Sequence, residues 1–386
     1  MLTQAAATMA AYTLSTASPY IAPELGVENE DVAQLVAIVY FMGAMSAVAA
    51  PQFVHRFGGL GVSIGICAAA SAMLTLATLA ESLLMLAAGA VALGCMYGMT
   101  APSSSHVLAP LAPPKRRNIV FSIRQIGVPL GGILGGILVP PLILIGGWRM
   151  AFEAQLLFAL LLILCLYMVR HRYDSGRDVH RRFSLAGPIR LFGLLRQLPE
   201  LLPLSIACLI YSGAQLCFGA YLVTQVVRVF GDDAYAFASA VALVTFQMAG
   251  IVARIVLGFV ADAWMSARTL LALQGVIMAG AAVTAASYGA DWPLWIVLVN
   301  CAAAGASASG YTGLAFAEYA RIGGVARTAE TTGLGAALMF LGVAIMAPLF
   351  RLGIDIFDGY RTPYLVIAAL TLGSAAMLFV FGRRNR

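Results

Sequence analysis

Long apolar runs separated by short polar connections dominate this sequence. A helix needs about 20 apolar residues to cross the hydrocarbon core of a bilayer. The runs lack period-two alternation and exceed the roughly 9–11 residues of a membrane barrel strand. The pattern therefore predicts an all-α polytopic membrane protein with twelve transmembrane helices. The predicted spans are 2–22, 33–54, 61–80, 83–109, 119–143, 148–169, 201–227, 235–261, 268–288, 293–316, 333–352 and 362–382.

Composition agrees with this pattern. Of 386 residues, 61% are hydrophobic and 10% are charged, whereas soluble domains carry about 25% charged residues. The mean hydropathy is +0.90. These values exclude a cytosolic enzyme, a nucleic-acid binder and a disordered scaffold. All six cysteines lie in apolar runs without a CxxC or Cys/His cluster, so we expect neither a metal site nor a cofactor.

The basic residues predict the orientation. Seventeen of the 23 Lys and Arg residues fall in one set of alternate connections or in the tail. Because basic loops stay in the cytoplasm, both termini are predicted to be cytoplasmic. Met1 leads directly into the first apolar run without a basic segment ahead of it, which is not typical of a secretory signal.

Two halves of the chain resemble each other. Gly147-Trp148-Arg149 recurs as Gly359-Tyr360-Arg361, and Gly98 recurs as Gly310, both at an offset of 212. The stretch 51–56 after span two corresponds to 258–263 after span eight, at an offset of 207. Two parallel six-helix repeats of this kind form the halves of a large class of transporters.

The motifs resemble the major facilitator superfamily (MFS). The family's loop signature after span two reads G-x-x-x-D-R-x-G-R-R, and this chain has Pro51-Gln52-Phe53-Val54-His55-Arg56-Phe57-Gly58 at that place. The second copy keeps Gly258 and Asp262. Residues 122–132 resemble span five of MFS permeases for small organic solutes and partly fit the G-P-x-x-G-G antiporter signature. The resemblance implies two pseudo-symmetric six-helix bundles, at 1–170 and 200–386, joined by a cytoplasmic linker at 171–199.

Arg254 is the sharpest candidate for function. A cation at membrane depth is costly and normally faces a partner or a wet cavity. The pattern Arg-x-x-x-Gly-x-x-x-Asp, formed with Gly258 and Asp262, resembles span eight of MFS carriers for carboxylates and implies an anion-binding residue. The alternative is a structural or gating salt bridge, for example with Asp262.

Arg124 lies at a similar depth in span five, next to Gln125. In the MFS arrangement spans five and eight meet, so Arg124 and Arg254 are expected to face one cavity. Two buried like charges repel unless an anion lies between them. The alternative is that Arg124 extends to the cytoplasmic surface.

Neutral polar residues on spans one, four, seven and ten form a second candidate set, because these spans line the central pathway of the family. Mid-span amides need partners, so they are candidate ligands, with helix-to-helix hydrogen bonds as the alternative. The set comprises Tyr12, Tyr97, Gln215, Asn300 and Tyr311.

A third set has a mechanical interpretation. Arg56, Gly258 and Asp262 occupy the two loop signatures, where the resemblance implies gating. Gly127 and Gly131 lie on one face of span five, which permits close helix contact and sliding. The alternative is that these glycines serve simple helix packing.

These observations predict a secondary active transporter in a bacterial-type inner membrane. The predicted substrate is a small organic anion, such as a carboxylate, moved by alternating access. A proton or an exchanged anion is the candidate co-substrate, and a monomer is expected. No nucleic acid is expected as a partner. The alternatives are a multidrug efflux antiporter and, more remotely, a polytopic membrane enzyme or sensor. The sequence contains no HExxH, GxSxG or phosphate-cradling loop, which disfavours the enzyme.

Overall fold

The computed structural model describes residues 1–174, 177–180, 183–184, 187–230, 232–289 and 292–384. Within these residues the chain is helical and no strand is found, which confirms the all-α prediction. The helices are α1 Leu2–Leu25, α2 Asn29–Phe57, α3 Gly59–Thr78, α4 Leu83–Tyr97, α5 Thr100–Leu111, α6 Arg117–Gln125, α7 Gly127–Tyr173, α8 Gly187–Gln197, α9 Leu201–Phe230, α10 Asp232–Ala263, α11 Ala267–Ala286, α12 Leu294–Ala308, α13 Tyr311–Phe357 and α14 Arg361–Arg384, with a short 3-10 turn at Pro114–Arg116.

Nine helical stretches of the described chain are long and apolar enough to cross a membrane. Two of them, of 60 and 64 residues, are far longer than the roughly 20 residues that one crossing needs. Each contains non-helical backbone, at Gly146 and Gly147 in α7 and at Gly324 and Arg327 in α13, so each supplies two crossings. With α1, which lies outside the nine, the arrangement is consistent with the predicted twelve.

The chain reverses direction inside α7 at the predicted Gly-Trp-Arg sequence. Gly147 adopts a φ of 76°, a left-handed conformation that glycine tolerates best. The next two side chains then reach one carboxylate: Trp148 Nε1 and Arg149 Nη1 each donate a hydrogen bond of 2.6 Å to Glu24. These two hydrogen bonds lower the pKa of the Glu24 carboxyl. The Gly-Trp-Arg sequence at 147–149 thus lies at a turn held by an ion pair with Glu24.

Spans four and ten are each interrupted, which the sequence pattern did not predict. Span four consists of α4 and α5, separated at Gly98 and Met99, and span ten is separated at Ser309 and Gly310. The two interruptions include the repeat-related Gly98 and Gly310. Helix ends leave backbone groups without intrahelical partners, so each interruption supplies polar backbone atoms inside an apolar segment.

The chain forms two compact units that are not continuous in sequence. Unit 1 comprises Met1–Leu111, Ile126–Leu194 and Gly323–Ala337, and unit 2 comprises Ala112–Gln125, Leu195–Ile322 and Leu338–Arg386. The start of span five therefore packs with unit 2, and the start of span eleven packs with unit 1. The domain limits given above, at 1–170, 171–199 and 200–386, stay a prediction.

Close contact between α1 and α7 depends on glycine in unit 1. A Cβ atom at Gly127 would lie 2.6 Å from the carbonyl oxygen of Met1. A Cβ atom at Gly131 would overlap the carbonyl oxygen of Ala5. Small residues of this kind let helix backbones approach closely in a membrane. Gly127 and Gly131, which the sequence predicted to permit close helix contact and sliding, therefore lie at a tight contact between α7 and α1.

Candidate functional site

Arg254 lies in α10 of unit 2 and is 1% exposed. Its Nε atom donates to the backbone carbonyl oxygen of Ser309 at 3.0 Å and to Thr312 Oγ1 at 3.3 Å. Its Nη2 atom donates to Ser309 Oγ at 2.8 Å. Both partners lie at the interruption of span ten, so the break in that helix supplies the acceptors that orient the guanidinium.

The positive charge of Arg254 has no carboxylate partner among the described residues. Its contacts are neutral oxygens, and its Nη1 atom is buried without a hydrogen-bond partner in the described part of the chain. Asp262, which the sequence offered as a partner, bonds elsewhere. Neutral dipoles orient a buried cation but do not compensate its charge. The arrangement can therefore hold an anion through a charge-assisted hydrogen bond.

Asp262 accepts hydrogen bonds at the start of α6. Its carboxylate accepts from the backbone N–H of Asn118 at 3.0 Å, from Ile119 N–H at 2.9 Å and from Asn118 Nδ2 at 2.8 Å. A carboxylate at a helix N-terminus satisfies free N–H groups and complements the helix dipole. Gly258, one turn before it, allows the close approach, since a Cβ there would lie 2.9 Å from the Ile119 Cα.

Arg124 is also buried in unit 2, with 4% exposure, and does not extend to the surface. Its Nη1 donates to Gln125 Oε1 at 2.7 Å. Its guanidinium carbon lies 5.2 Å from the ring centroid of Phe316, which is a cation–π contact. Arg124 and Gln125 thus form a buried polar pair beside span ten.

The two arginines contact the same side of span ten. Ser309, Thr312 and Phe316 follow one another at spacings of three and four residues, which places them on one helix face. Arg254 contacts the first two and Arg124 the third. Thr312 and Phe316 are separated along the helix by about 6 Å. The structure thus brings together the two cations that the sequence singled out.

Gln215 and Tyr311 belong to the same neighbourhood. Gln215 Nε2 donates to Ser309 Oγ at 3.5 Å, the oxygen that also accepts from Arg254. The Tyr311 ring is fully buried and packs edge-on against Tyr211, with ring centroids 5.5 Å apart. Ser309 and Thr312 escaped the sequence prediction, because hydroxyl groups are common in helices and carry no periodic signal.

Asn300 is placed away from these residues. Its Nδ2 donates to the carbonyl oxygen of Ala281 at 3.1 Å and to the hydroxyl of Tyr288 at 2.8 Å. Both partners are on or directly after α11. These contacts correspond to the helix-to-helix alternative rather than to a ligand position.

Tyr12 and Tyr97 take part in a hydroxyl cluster in unit 1. The Tyr40 hydroxyl donates to the Tyr12 hydroxyl at 3.4 Å, and the Tyr97 hydroxyl lies 3.0 Å from Thr8 Oγ1. The rings of Tyr40 and Tyr97 meet edge-on at 5.8 Å. Tyr40 and Thr8 were missed, since neither span two nor the start of span one carries an isolated polar signal at those positions.

Arg56 stacks on aromatic rings at the end of α2. Its guanidinium carbon lies 4.8 Å from the centroid of Phe183 and 5.6 Å from that of Phe57. Phe183 belongs to the linker, whose next residue, Ser184, donates its N–H to Gln52 Oε1 at 2.6 Å. The linker is therefore attached to the loop-signature end of α2, which the sequence did not predict.

A four-residue ion cluster on unit 2 was also missed. Arg268 Nη2 contacts Glu200, and Arg268 Nε lies 2.5 Å from Glu318 Oε1. Arg321 contacts the same two carboxylates at 2.9 and 2.8 Å. Burial alone would raise the pKa of Glu200, but hydrogen bonds and charges of the two arginines outweigh it and lower that pKa. The cluster links the starts of α9 and α11 to α13.

The family model for the Major Facilitator Superfamily matches residues 1–324, well over half of the chain. The chain belongs to the major facilitator superfamily. The family and its fold are those of membrane transporters, so this chain is a multi-pass membrane protein of the MFS type. The family predicted from the loop and span-five motifs is thereby confirmed.

Two relatives of this MFS protein are an efflux pump and a multidrug transporter. The purine ribonucleoside efflux pump NepI of Salmonella paratyphi B is 24% identical over 281 residues, which cover 70% of this chain and 65% of the pump. The chain thus spans just under two thirds of that relative. The multidrug transporter mfsC of Aspergillus fumigatus is 29% identical over 168 residues, covering 42% of this chain and 32% of that protein.

Solved structures show the same fold. The fucose:proton symporter FucP of E. coli superimposes with a TM-score of 0.74 at 14% identity, covering 99% of this chain and 98% of the symporter. The human organic anion transporter MFSD10 gives a TM-score of 0.73 at 15% identity, with 98% and 97% coverage. At these identities the likeness shows the fold alone, and it confirms the predicted polytopic MFS architecture.

Proposed function

We propose that this MFS transporter carries a small organic anion, such as a carboxylate, and that Arg254 is its primary anchor. The observation that carries the proposal is the buried guanidinium of Arg254, which is oriented by Ser309 and Thr312 but faces no carboxylate among the described residues. A protein stabilises such a charge poorly by itself. A bound anion compensates the charge and accepts the hydrogen bond that Nη1 does not make within the described chain.

Arg124 strengthens the anion interpretation. It lies about one helical turn further along the same face of span ten, against Phe316. Two cations on one helix face repel each other, and an anion between them relieves the repulsion. Gln125 and Gln215 supply neutral hydrogen-bonding groups next to the two arginines. A carboxylate with a further polar group is the ligand class that fits this set.

The transport cycle is proposed to follow the family's alternating-access scheme. Arg254 is enclosed in the present conformation, so the solute reaches it only when the helices around it open. The positive-inside pattern supports a cytoplasmic position for both termini in a bacterial-type inner membrane. A proton or an exchanged anion is the proposed co-substrate, and the solute is the proposed small-molecule partner of a monomeric protein.

Efflux of a neutral or cationic compound is the second candidate function. The two relatives named above are a purine ribonucleoside efflux pump and a multidrug transporter. In that case Gln215, Gln125 and the buried tyrosines supply the ligand contacts, and Arg254 fastens α10 to span ten as a structural element.

A thermal-shift screen of the purified protein tests these alternatives. Ligands that bind the folded state raise its melting temperature, so we expect stabilisation by carboxylates and none by nucleosides or cationic drugs. The substitution Arg254→Gln removes the charge, and we expect it to weaken binding of the stabilising anion at least about tenfold. The surface substitution Arg351→Gln serves as the control, since Arg351 is 65% exposed.

The outcomes separate the two functions. Stabilisation by purine nucleosides, with unchanged affinity in Arg254→Gln, supports the efflux function and contradicts the anion proposal. Uptake of the identified anion into proteoliposomes, measured for the same variants, then shows whether binding is followed by transport. Equal uptake by the native protein and Arg254→Gln would overturn the role of Arg254.

A further inference from the structure

A second cluster of titratable side chains lies in unit 1. His55 Nε2, near the end of α2, lies 2.8 Å from Glu330 Oε1 in α13. The His106 ring from α5 meets the His55 ring edge-on, with centroids 5.8 Å apart. The side chains of His55 and Glu330 are 19% and 25% exposed, so water reaches both. Two imidazoles and a carboxylate from three helices therefore share one water-accessible position.

Further charges surround this cluster. Asp174, at the end of α7, is within electrostatic reach of His106, and its carboxylate accepts from the N–H groups of Leu60 and Gly61 at 3.0 and 2.7 Å. Arg170 lies 3.7 Å from Asp174. The neighbouring Arg56 instead faces the rings of Phe57 and Phe183. The Asp174 carboxylate thus accepts hydrogen bonds from backbone N–H groups at the start of α3. The carboxylate that contacts His55 is that of Glu330.

The internal repeat provides a comparison within the same chain. His55 and Asp262 correspond at the offset of 207, and Asn118 and Glu330 correspond at the offset of 212. Both pairs are in contact in the structure. In the second half a carboxylate accepts from backbone and amide N–H groups, which do not titrate. In the first half the same position holds an imidazole opposite a carboxylate.

This difference decides how each contact responds to pH. The contact between Asp262 and α6 joins a carboxylate to backbone and amide N–H groups, so no imidazole takes part in it. An imidazole changes its charge between about pH 5 and 8. The contact between α2 and α13 is therefore the one of the two whose strength depends on proton binding near neutrality.

We propose that His55, Glu330 and His106 form a proton-binding site of this transporter. The ligand is one proton taken from water. Because the Glu330 carboxylate only accepts hydrogen bonds, the His55 Nε2 atom carries a hydrogen in both states. The added proton goes to Nδ1, and the hydrogen bond from a neutral imidazole to the carboxylate becomes an ion pair between two opposite charges. His106, a second imidazole beside the first, limits the cluster to one positive charge because two adjacent imidazolium groups repel.

Proton binding here strengthens the attachment of α2 to the first turns of span eleven. Glu330 follows the non-helical backbone at Gly324 and Arg327 within α13, where the chain changes direction between two spans. A protonated His55 holds this segment of unit 1 in place, and loss of the proton weakens the contact. The inference does not depend on which solute is carried.

Melting temperatures measured between pH 5.5 and 8.0 test the site without a known solute. The native protein is compared with His55→Asn and with Glu330→Gln at each pH. We expect both substitutions to lower the melting temperature by about 2 °C or more at pH 5.5 and by less at pH 8.0. The sign follows from the ion pair, which is complete at acidic pH and is lost as the imidazole releases its proton.

Three variants make the result specific. His55→Arg keeps a permanent cation opposite Glu330, and its melting temperature is expected to exceed that of His55→Asn equally at both ends of the pH range. His171→Asn changes an exposed histidine and is expected to have no pH-dependent effect. Asp262→Asn changes the repeat-related contact and is expected to lower the melting temperature equally at all pH values.

The proposal is overturned if His55→Asn and Glu330→Gln both lower the melting temperature by the same amount at pH 5.5 and pH 8.0. Because the two substitutions act on different helices, Glu330→Gln keeps the test decisive when a His55 variant fails to fold. Equal pH dependence in Asp262→Asn would also contradict it, since the effect would then not belong to the imidazole.

Discussion

Arg254 donates a hydrogen bond of 3.0 Å to the backbone carbonyl oxygen of Ser309, at the residue where span ten is interrupted. The interruption thus has a definite consequence: it gives a buried cation a neutral acceptor at a fixed place. Ser309 Oγ adds a second hydrogen bond at 2.8 Å. The guanidinium of Arg254 is oriented by neutral oxygens, but its positive charge is not compensated. This is expected of a site that binds an anion, whereas a structural arginine is normally paired with a carboxylate.

The stability of Arg254→Met distinguishes these two roles. Replacing an uncompensated buried charge by an apolar side chain of similar length should leave the ligand-free protein equally stable or raise its unfolding free energy by about 1–4 kcal/mol. If Arg254 is instead a structural element, the substitution removes its hydrogen bonds to Ser309 and Thr312, and each hydrogen bond to a charged group contributes about 1.5–3 kcal/mol. Melting temperatures of the purified variants without ligand measure the difference. A marked loss of stability in Arg254→Met, with no loss in the exposed control Arg351→Met, would assign Arg254 to the framework.

Removal of the Asp262 carboxylate should destabilise unit 2. Asp262→Ala leaves the N–H groups of Asn118 and Ile119 without the acceptor they now share. Loss of a helix N-terminal acceptor costs about 0.5–2 kcal/mol, so we expect a lower melting temperature. Glu81, an exposed residue in the connection before α4, provides the control substitution Glu81→Ala. If the two variants melt alike, the contact at α6 contributes nothing to stability.

The acidic response of the Glu200 cluster can be measured in the same way. Arg268 and Arg321 lower the pKa of Glu200 in the folded protein. A carboxyl group with a lowered folded pKa stabilises the protein above its unfolded pKa of about 4.3, and this contribution is lost as the pH falls through the folded value. The difference in melting temperature between the native protein and Glu200→Gln should therefore be constant near pH 7 and shrink below about pH 4.

The control for this cluster is the exposed pair of Arg351 and Asp355. Their side chains are 65% and 54% exposed and four residues apart on one helix, a geometry that stabilises by only a few tenths of a kcal/mol. Asp355→Asn is accordingly expected to leave the melting temperature nearly unchanged. An equal effect of Asp355→Asn and Glu200→Gln would show that the network adds nothing beyond an isolated surface pair.

The sequence was sufficient for the fold because the signals for membrane helices are local. Apolar length and the position of basic loops each follow from nearby residues, and they predicted the polytopic architecture. The repeat, at offsets of 207 and 212 residues, predicted its two halves. Arg254 and Arg124 were predictable for the same reason, since the sequence alone identifies an isolated cation in an apolar run. Their shared contact with Ser309, Thr312 and Phe316 needed the fold.

Contacts that join distant helices were not predictable. His55 and Glu330 are 275 residues apart, and each alone reads as an ordinary polar residue near a helix end. The pairing of Asp262 with Arg254, offered by their spacing along α10, was wrong because the Asp262 carboxylate meets the start of α6 instead. Asn300 is a further example, since the sequence alone did not predict its hydrogen bonds to Ala281 and Tyr288, on or directly after α11.

Neighbouring glycines in α7 give a matched test of helix contact. Gly131 faces α1, where a Cβ would overlap the Ala5 carbonyl oxygen and lie 2.9 Å from the Thr8 Cβ. Gly132, the next residue, has open space around its Cα. Gly131→Ala should therefore lower the unfolding free energy by about 1–3 kcal/mol through overpacking. Gly132→Ala should be neutral or slightly stabilising, because alanine favours a helix by about 1 kcal/mol over glycine. Thermal unfolding of both variants decides the matter: equal destabilisation would show that α1 and α7 do not meet at Gly131.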